Sequence, residues 1–207
     1  VFFNGRQWPV TCKQVQFYNG GNAGVQEGQA TTTGYMLFKR FNRSISKTSP
    51  GVASQNRPSI IFRLADFYLI YAEVANEVNP SDSRVLTYLN LVRERAGLPK
   101  VEILNPGIVG NKELQRAAIQ RERQIELATE GQRYFDVRRW MIADKDGEGR
   151  QNGYAHGMNV RGTINDTEEF NRVVETEKIV FNRKMYLQPI PDHEMRKTQN
   201  LVQNPGW

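Results

Sequence analysis

The 207-residue sequence predicts a mostly α-helical fold with long irregular loops and a few short strands. Three observations lead to this prediction. Apolar residues recur at three- and four-residue intervals between about residues 60 and 143, as one face of a helix requires. Proline, glycine and asparagine break that pattern at short intervals, as they do between neighbouring helices. The segments on either side are rich in glycine, asparagine, serine and threonine and show no sustained period.

The composition is typical of a folded domain. Hydrophobic residues make up 39% of the chain and charged residues 24%, so one core of useful size can form. The most apolar stretch, 60–78, is interrupted by Arg63, Asp66 and Glu73 and therefore predicts no membrane span. The net charge of +6 is spread along the chain. Without a basic stripe or a known binding module, this charge predicts no nucleic-acid partner.

The first two helices are predicted to form a helical hairpin. The first begins near residue 59 and ends before Pro80, because proline disfavours a helical residue in front of it. The second can be capped by Ser81 or Asp82 and ends at Gly97. Its buried stripe is predicted to be Val85, Leu89, Val92 and Ala96. The buried stripe of the first helix is predicted to be Ile61, Leu64, Ala65, Tyr68, Tyr71, Ala72, Ala75 and Val78.

Two more helices are predicted after a loop at 100–110. Asn111 can cap the third helix, and Gly131 ends or bends it. The buried residues of the third helix are predicted to be Leu114, Ala118, Ile125 and Ala128. A short fourth helix is predicted from Tyr134, Phe135, Val137, Trp140 and Met141. We expect Phe135 and Trp140 to be buried.

The chain is expected to contain four segments in one domain. They are a loop-rich segment with short strands at 1–59, a four-helix core at 60–143, a surface insertion at 144–183 and an extended C-terminal segment at 184–207. A hairpin is expected within the insertion, and 184–187 is expected to be an extended run.

Four stretches in this order resemble the C-terminal region of the SusD/RagB family. They are RLADFYLIYAE at 63–73, LNLVRERAGLP at 89–99, ERQIELATEGQRYFDVRRW at 122–140, and YLQPIP at 186–191 with LVQNPGW at 201–207. The third stretch is long and specific. Together the matches extend from about residue 60 to the end of the chain.

This resemblance implies a non-enzymatic lipoprotein at the outer face of the outer membrane. Family members capture glycans or peptides and deliver them to a SusC-like TonB-dependent transporter. They are longer chains with a lipidated amino-terminal cysteine and a helical portion of tetratricopeptide repeats. The resemblance therefore implies a fragment whose helical lobe packs on that missing portion of its own chain, and whose membrane contact depends on an absent lipid anchor. An exposed apolar patch is expected to mark the packing surface.

Three glutamates of the third stretch lie four residues apart, so one helical face carries the carboxylates of Glu122, Glu126 and Glu130. Paired carboxylates perform glycoside hydrolysis, and a hydrolase using Glu122, Glu126 or Asp136 is an alternative function. Neighbouring arginines, however, favour ionised carboxylates, whereas a general acid must hold a proton. We therefore interpret the following residues as structural ion pairs: Glu122, Glu126, Glu130, Arg133, Asp136, Arg138 and Arg139.

The sequence predicts no metal and no cofactor. The two histidines, His156 and His193, lack the spacing of a catalytic metal site. The oxygen-bearing side chains of Asp144, Asp146 and Glu148 alternate loosely as in a calcium loop but lack the terminal ligand of an EF-hand. Neither a phosphate-binding glycine loop nor a nucleophile elbow with a histidine partner occurs.

Aromatic residues in loop-like surroundings are the candidate ligand-binding residues. A flat ring stacks on the apolar face of a sugar, while its polar tip can form a hydrogen bond. The candidates are Trp8, Tyr18, Tyr35 and Tyr154. A glycan is the predicted ligand. Two alternatives stay open: a peptide ligand, and an interaction module whose loops, including 144–176, dock the transporter.

Overall fold

The computed structural model describes residues 19, 31, 33–35, 37, 39, 60–145, 152–162 and 173–207, without the side chains of 173–177. Two compact units are present. The helical unit is Asn56–Ile142, and the hairpin unit is Ala143–Trp207 together with residues from the first 55. The predicted mostly helical fold is confirmed.

Helices α1 to α5 form the helical unit. Their bounds are Leu64–Val78 for α1, Arg84–Arg95 for α2, Val101–Leu104 for α3, Lys112–Glu126 for α4 and Gln132–Arg139 for α5, with a 3-10 turn at Pro106–Ile108 between α3 and α4. Helix α1 packs against both α2 and α4. The core consists of Leu69, Ala72, Val85, Leu89, Val92, Val101, Ile108 and Ile119.

Local signals set the helix ends. The Asn111 side chain accepts a hydrogen bond from the Leu114 amide at 3.2 Å, so the predicted cap of α4 is present. Gly97 follows α2 with φ +77, the left-handed conformation that glycine adopts without strain. Asp82 accepts a hydrogen bond from the Arg84 amide at 2.9 Å where α2 begins.

The predicted buried face of α4 is wrong except at Ala118, which is partly buried and packs on the core. Leu114 and Ile125 are exposed, whereas Gln115, Glu122 and Arg123 are buried beside Ile119. The spacing of apolar residues identifies a buried face only where charged residues stay in solvent. In α4 the charged residues are buried because they have partners on other helices, which allows their burial.

Helix α1 exposes a second apolar face, opposite its core face. The buried residues include Leu69 and Ala72. The predicted stripe was wrong for four residues, which are exposed: Ile61, Leu64, Tyr71 and Val78. Residue 61 lies outside the helix, which begins at Leu64. The exposed apolar residues of α1 are Leu64, Phe67, Ile70, Tyr71, Val74 and Val78.

Three further expectations for the helical unit are wrong. Ala96, predicted to be buried in α2, is exposed because the helix ends at Arg95. Phe135 is 64% exposed because α5 buries only Asp136 and Val137. The region 100–110, expected to be a loop, holds α3 and the 3-10 turn. It is ordered by the Asn90 side chain, whose oxygen accepts a hydrogen bond from the Val101 amide at 3.0 Å.

The hairpin unit contains the expected hairpin. Strands β1, Gly153–Met158, and β2, Val173–Ile179, pair antiparallel, with an irregularity between Ala155 and His156. After β2 come a 3-10 turn at Arg183–Tyr186 and the short helix α6 at Asp192–Met195. The run 184–187 is therefore a helical turn over most of its length, and the prediction of an extended run there was wrong.

The last residues of the chain bind the segment that follows β2. The Gln203 side chain exchanges two hydrogen bonds with the Ile190 backbone, at 2.8 and 2.9 Å. The Trp207 indole N–H donates to the carbonyl oxygens of Lys184 and Leu187 at 3.1 and 3.0 Å. Gly206 has φ +89, and a Cβ there would lie 3.0 Å from the Lys184 Cβ. These contacts give the closing QNPGW a structural role.

Candidate functional site

Tyr154 lies at the start of β1 on the surface of the hairpin unit. Its side chain is about half exposed, at 48%. It is paired across the antiparallel ladder with Lys178 of β2. The Lys178 Nζ lies 5.7 Å from the centroid of the tyrosine ring. The strand pair thus presents an aromatic ring and a cation side by side at the surface.

Tyr35 is held near the other end of the same strand. The Met158 amide donates a hydrogen bond to the Thr33 carbonyl oxygen at 2.9 Å. A Cβ on Gly157 would lie 2.9 Å from the Thr33 Cα, so only glycine permits this approach. Gly34, with φ +70, packs equally closely on Met158. Tyr35 follows directly and is 46% exposed.

The structure therefore brings two of the four predicted ligand-binding residues to one strand. Tyr154 and Met158 are separated by four residues, or about 13 Å at the usual strand rise. The other two candidates, Trp8 and Tyr18, lie outside the described residues. A ligand-binding role for these four residues stays a prediction.

The three glutamates of α4 and its C-terminal turn are bound by Arg63, which directly precedes α1, and by two arginines of α2. Glu122 accepts a hydrogen bond from Arg93 at 2.8 Å. Glu126 is bound by Arg95 at 2.6 Å and by Arg63, which also donates to Glu130 at 2.7 Å. Partial burial lowers the pKa of Arg63, but its hydrogen bonds to Glu130 and Glu126 outweigh this effect and hold the pKa above its ordinary value.

Arg123 connects three helices inside the helical unit. Its Nη1 donates to Asp66 of α1 at 2.9 Å, and its Nε donates to Asp136 of α5 at 2.9 Å. All three side chains are at most 7% exposed. Arg139 also binds Asp136, at 2.8 Å, and reaches Glu73 of α1. The result is a network of alternating opposite charges that is buried at Asp66, Arg123 and Asp136 and reaches the surface at Arg139.

The remaining arginines of the predicted set contact aromatic rings. The Arg138 guanidinium carbon lies 3.4 Å from the Tyr134 ring centroid, and that of Arg133 lies 5.8 Å from the Trp140 ring centroid. The arginines nearest in sequence, within 122–140, were the expected partners of the glutamates. Their partners in the structure, Arg63, Arg93 and Arg95, belong instead to the first two of the four family-like stretches.

The described residues offer no cluster of three or more His, Cys, Asp or Glu side chains suited to a metal ion. Of the loosely calcium-like residues, Asp144 accepts a hydrogen bond from the Tyr186 hydroxyl at 2.6 Å, which lowers the pKa of this carboxyl group. Asp146 and Glu148 lie outside the described residues. Within the described part of the chain, no helix is long and apolar enough to cross a membrane.

Comparison with models of known protein families shows to which family the chain belongs. The sequence model of the SusD family matches residues 1–207. The chain belongs to the SusD family. The predicted membership is thereby confirmed, and a SusD-like structural neighbour supports the helical fold.

Individual relatives agree with this assignment. A SusD-like protein of Formosa agariphila is 44% identical over 106 residues, which cover 51% of this chain and 19% of the relative. A second SusD-like protein of the same bacterium is 31% identical over 153 residues, covering 72% of this chain and 26% of the relative.

The fold is also similar to that of a solved structure. The crystal structure of a SusD-like protein from Bacteroides fragilis has a TM-score of 0.57 at 30% identity, covering 72% of this chain and 26% of that one. The chain thus spans about a quarter or less of the length of these three relatives.

Proposed function

We propose that this chain serves in the capture of oligosaccharide nutrients at the outer face of the outer membrane, as a binding protein and not as an enzyme. The observation that carries the proposal is the match of the whole chain to the SusD family. Delivery of the captured glycan to a SusC-like TonB-dependent transporter is part of the same proposal.

The surface of the hairpin unit supports glycan capture. Tyr154 and Tyr35 each expose close to half of their surface, which leaves ring area for stacking on a pyranose. Such rings bury large apolar areas and offer a hydroxyl group for hydrogen bonding. Strand β1 orders both positions, so little conformational entropy is lost when a sugar binds.

The geometry of the helical unit argues against hydrolysis by Glu122 and Glu126. A general acid must be protonated and must reach the glycosidic oxygen. Glu122 is 5% exposed and bound by Arg93, and Glu126 is 11% exposed and bound by Arg63 and Arg95. Both carboxylates are thus engaged by arginine side chains, and their burial denies access to a polysaccharide.

The outer face of α1 supports a second part of the proposal. A helix that is apolar all round is typical of a helix covered on both sides. The exposed residues Leu64, Phe67, Tyr71, Val74 and Val78 are spaced by three, four, three and four positions, which suits packing against another helix. We propose that this face packs on the helical-repeat portion that the SusD resemblance implies.

Glycan-array screening followed by calorimetric titration of the best oligosaccharide tests the proposed capture. Replacement of Tyr154 by alanine is expected to weaken binding about tenfold, which corresponds to ~1.4 kcal/mol, because a stacking surface is lost. Tyr154→Phe keeps the ring and is expected to retain most of the affinity.

Tyr134→Ala is the matched control for that experiment. Tyr134 is a similarly exposed tyrosine, at 44%, but it lies in the helical unit. This variant is expected to bind like the parent protein. Binding of peptides with no binding of any glycan would contradict the proposal in favour of a peptide-binding member of the family. Release of reducing ends would contradict its non-enzymatic part.

A further inference from the structure

We infer that the sugar stacked on Tyr154 is acidic and that Lys178 recognises its carboxylate or sulfate group. This inference rests on the proposed function, since it assigns a ligand class to the same surface. It follows from the position of the lysine relative to the ring.

Lys178 is placed at the ring by the register of the hairpin. The two residues are direct partners in the β1–β2 ladder, and partners in an antiparallel ladder project from the same face of the sheet. Both side chains are exposed, and Nζ lies 5.7 Å from the ring centroid. A ligand that reaches the ring therefore also reaches the ammonium group.

The resting contact of Lys178 is weak enough to be exchanged. A cation above an exposed aromatic ring is held less strongly than a cation in a charge-assisted hydrogen bond with an anion. When a sugar occupies the ring face, the flexible lysine stem can carry the ammonium group to the rim. A neutral sugar displaces the ammonium group without compensation, whereas an acidic sugar provides a carboxylate or sulfate oxygen for it to bind.

The charge of the whole chain favours the same class of ligand. The net charge of +6 attracts anions over long distances and raises their rate of encounter at low ionic strength. Specificity, however, comes from the local pair, because exposed charges beyond about 10 Å are screened at 0.1 M salt.

Lys184 provides a matched control. Its Nζ also lies over a half-exposed ring, 4.3 Å from the Trp207 centroid. That ring is fixed by two indole hydrogen bonds to backbone carbonyls. Lys184→Gln and Lys178→Gln therefore make the same change of charge beside an aromatic ring, but only the second affects the Tyr154 surface.

The test uses the full chain and pairs of oligosaccharides that differ only in charge. One pair is an oligogalacturonate and its carboxyl-reduced form, and the other is a sulfated galactan oligosaccharide and its desulfated form. The acidic member of at least one pair is expected to bind about tenfold tighter than its neutral counterpart. Which pair shows the preference distinguishes a carboxylate ligand from a sulfate ligand.

Lys178→Gln is expected to abolish that preference without weakening the binding of the neutral member, and Lys184→Gln is expected to preserve the preference. Equal affinity for both members of each pair, lost in Tyr154→Ala, would overturn this inference and leave the proposed function standing. Equal effects of the two lysine variants would overturn it as well. Failure of every oligosaccharide to bind would overturn both proposals.

Discussion

At the residue scale, Arg123 is the most constrained side chain of the helical unit. It is 3% exposed and bound to two carboxylates that are themselves buried, Asp66 and Asp136. Such a buried arginine is tolerated because its donors are directed at both partners, which offsets the cost of removing three charges from water. In turn, the buried negative charges of both carboxylates are compensated mainly by this arginine.

Removal of Arg123 is therefore expected to destabilise the fold strongly. Arg123→Met leaves Asp66 and Asp136 buried beside one remaining cation, Arg139, and is expected to lower the free energy of unfolding by about 3–5 kcal/mol. Urea denaturation followed by circular dichroism measures the change. Arg84→Met is the control, because Arg84 pairs with Asp82 at the surface, where solvent screens an ion pair and it contributes little to stability. Equal losses in both variants would contradict the central role of Arg123.

At the element scale, helices α1 and α4 are joined by a second, exposed cluster. Glu77 at the end of α1 accepts hydrogen bonds from Arg116 at 2.7 and 2.8 Å, and the Lys112 ammonium lies 2.9 Å from its carboxylate. The hydrogen bonds from Arg116, followed by that from Lys112, lower the pKa of Glu77 from 4.5 to about 2. Protonation of Glu77 at low pH is therefore expected to weaken the contact between α1 and α4 and to lower the stability of the fold.

The lowered pKa of Glu77 determines how the stability of the fold changes with pH. Because the folded-state pKa lies below the unfolded-state value, the contribution is present above about pH 4.5 and is lost as the pH falls towards 2. Glu77→Gln is expected to reduce stability at pH 6 by a small amount, since the side chain is 42% exposed and solvent screens it. At pH 2 the variant and the parent are expected to converge.

Urea midpoints at pH 6 and at pH 2 measure this effect. Arg116→Met removes the main partner of Glu77 and is expected to remove the same pH-dependent part of the stability. In the double variant the two losses should not add, because residues in direct contact act as one unit. A constant difference between Glu77→Gln and the parent at all pH values would show that the ion pair is not responsible.

In the hairpin unit, the close packing of Thr33 on β1 requires a glycine at position 157. A Cβ at this position would lie 2.9 Å from the Thr33 Cα and 3.0 Å from the Thr33 carbonyl oxygen, both backbone atoms. Gly157→Ala is expected to push residues 33–35 away from β1 and to cost about 1–3 kcal/mol, as overpacking does. Thermal unfolding measures the loss.

Gly107→Ala is the control for that substitution. The nearest heavy atom to its added Cβ would be the Asn105 Oδ1 at 3.5 Å, an ordinary contact. The expected change in stability is within about 0.5 kcal/mol. If Gly157→Ala weakens glycan binding as well as stability, the position of Tyr35 beside the strand end contributes to capture. Stability equal to that of the parent would contradict the tight docking of Thr33 on β1.

At the scale of the whole molecule, the two units carry different groups of side chains. Many charged residues of the helical unit contact one another across its helices, and arginines bind its carboxylates. The hairpin unit carries both described candidate rings, Tyr35 and Tyr154, and the cation Lys178 beside one of them. This division fits a family whose fold is shared, because specificity resides in the side chains that surface elements present.

The four longer helices, their ends at Asn111 and Gly97, and the family could be predicted from the sequence, because these features depend on residues close together in the chain. Which face of α4 is buried and which arginine binds which glutamate depend instead on how distant helices pack together. The pairs Arg93–Glu122 and Arg63–Glu130 join residues 29 and 67 positions apart. A charged residue can be buried only where another helix supplies its partner, and no local pattern contains that information.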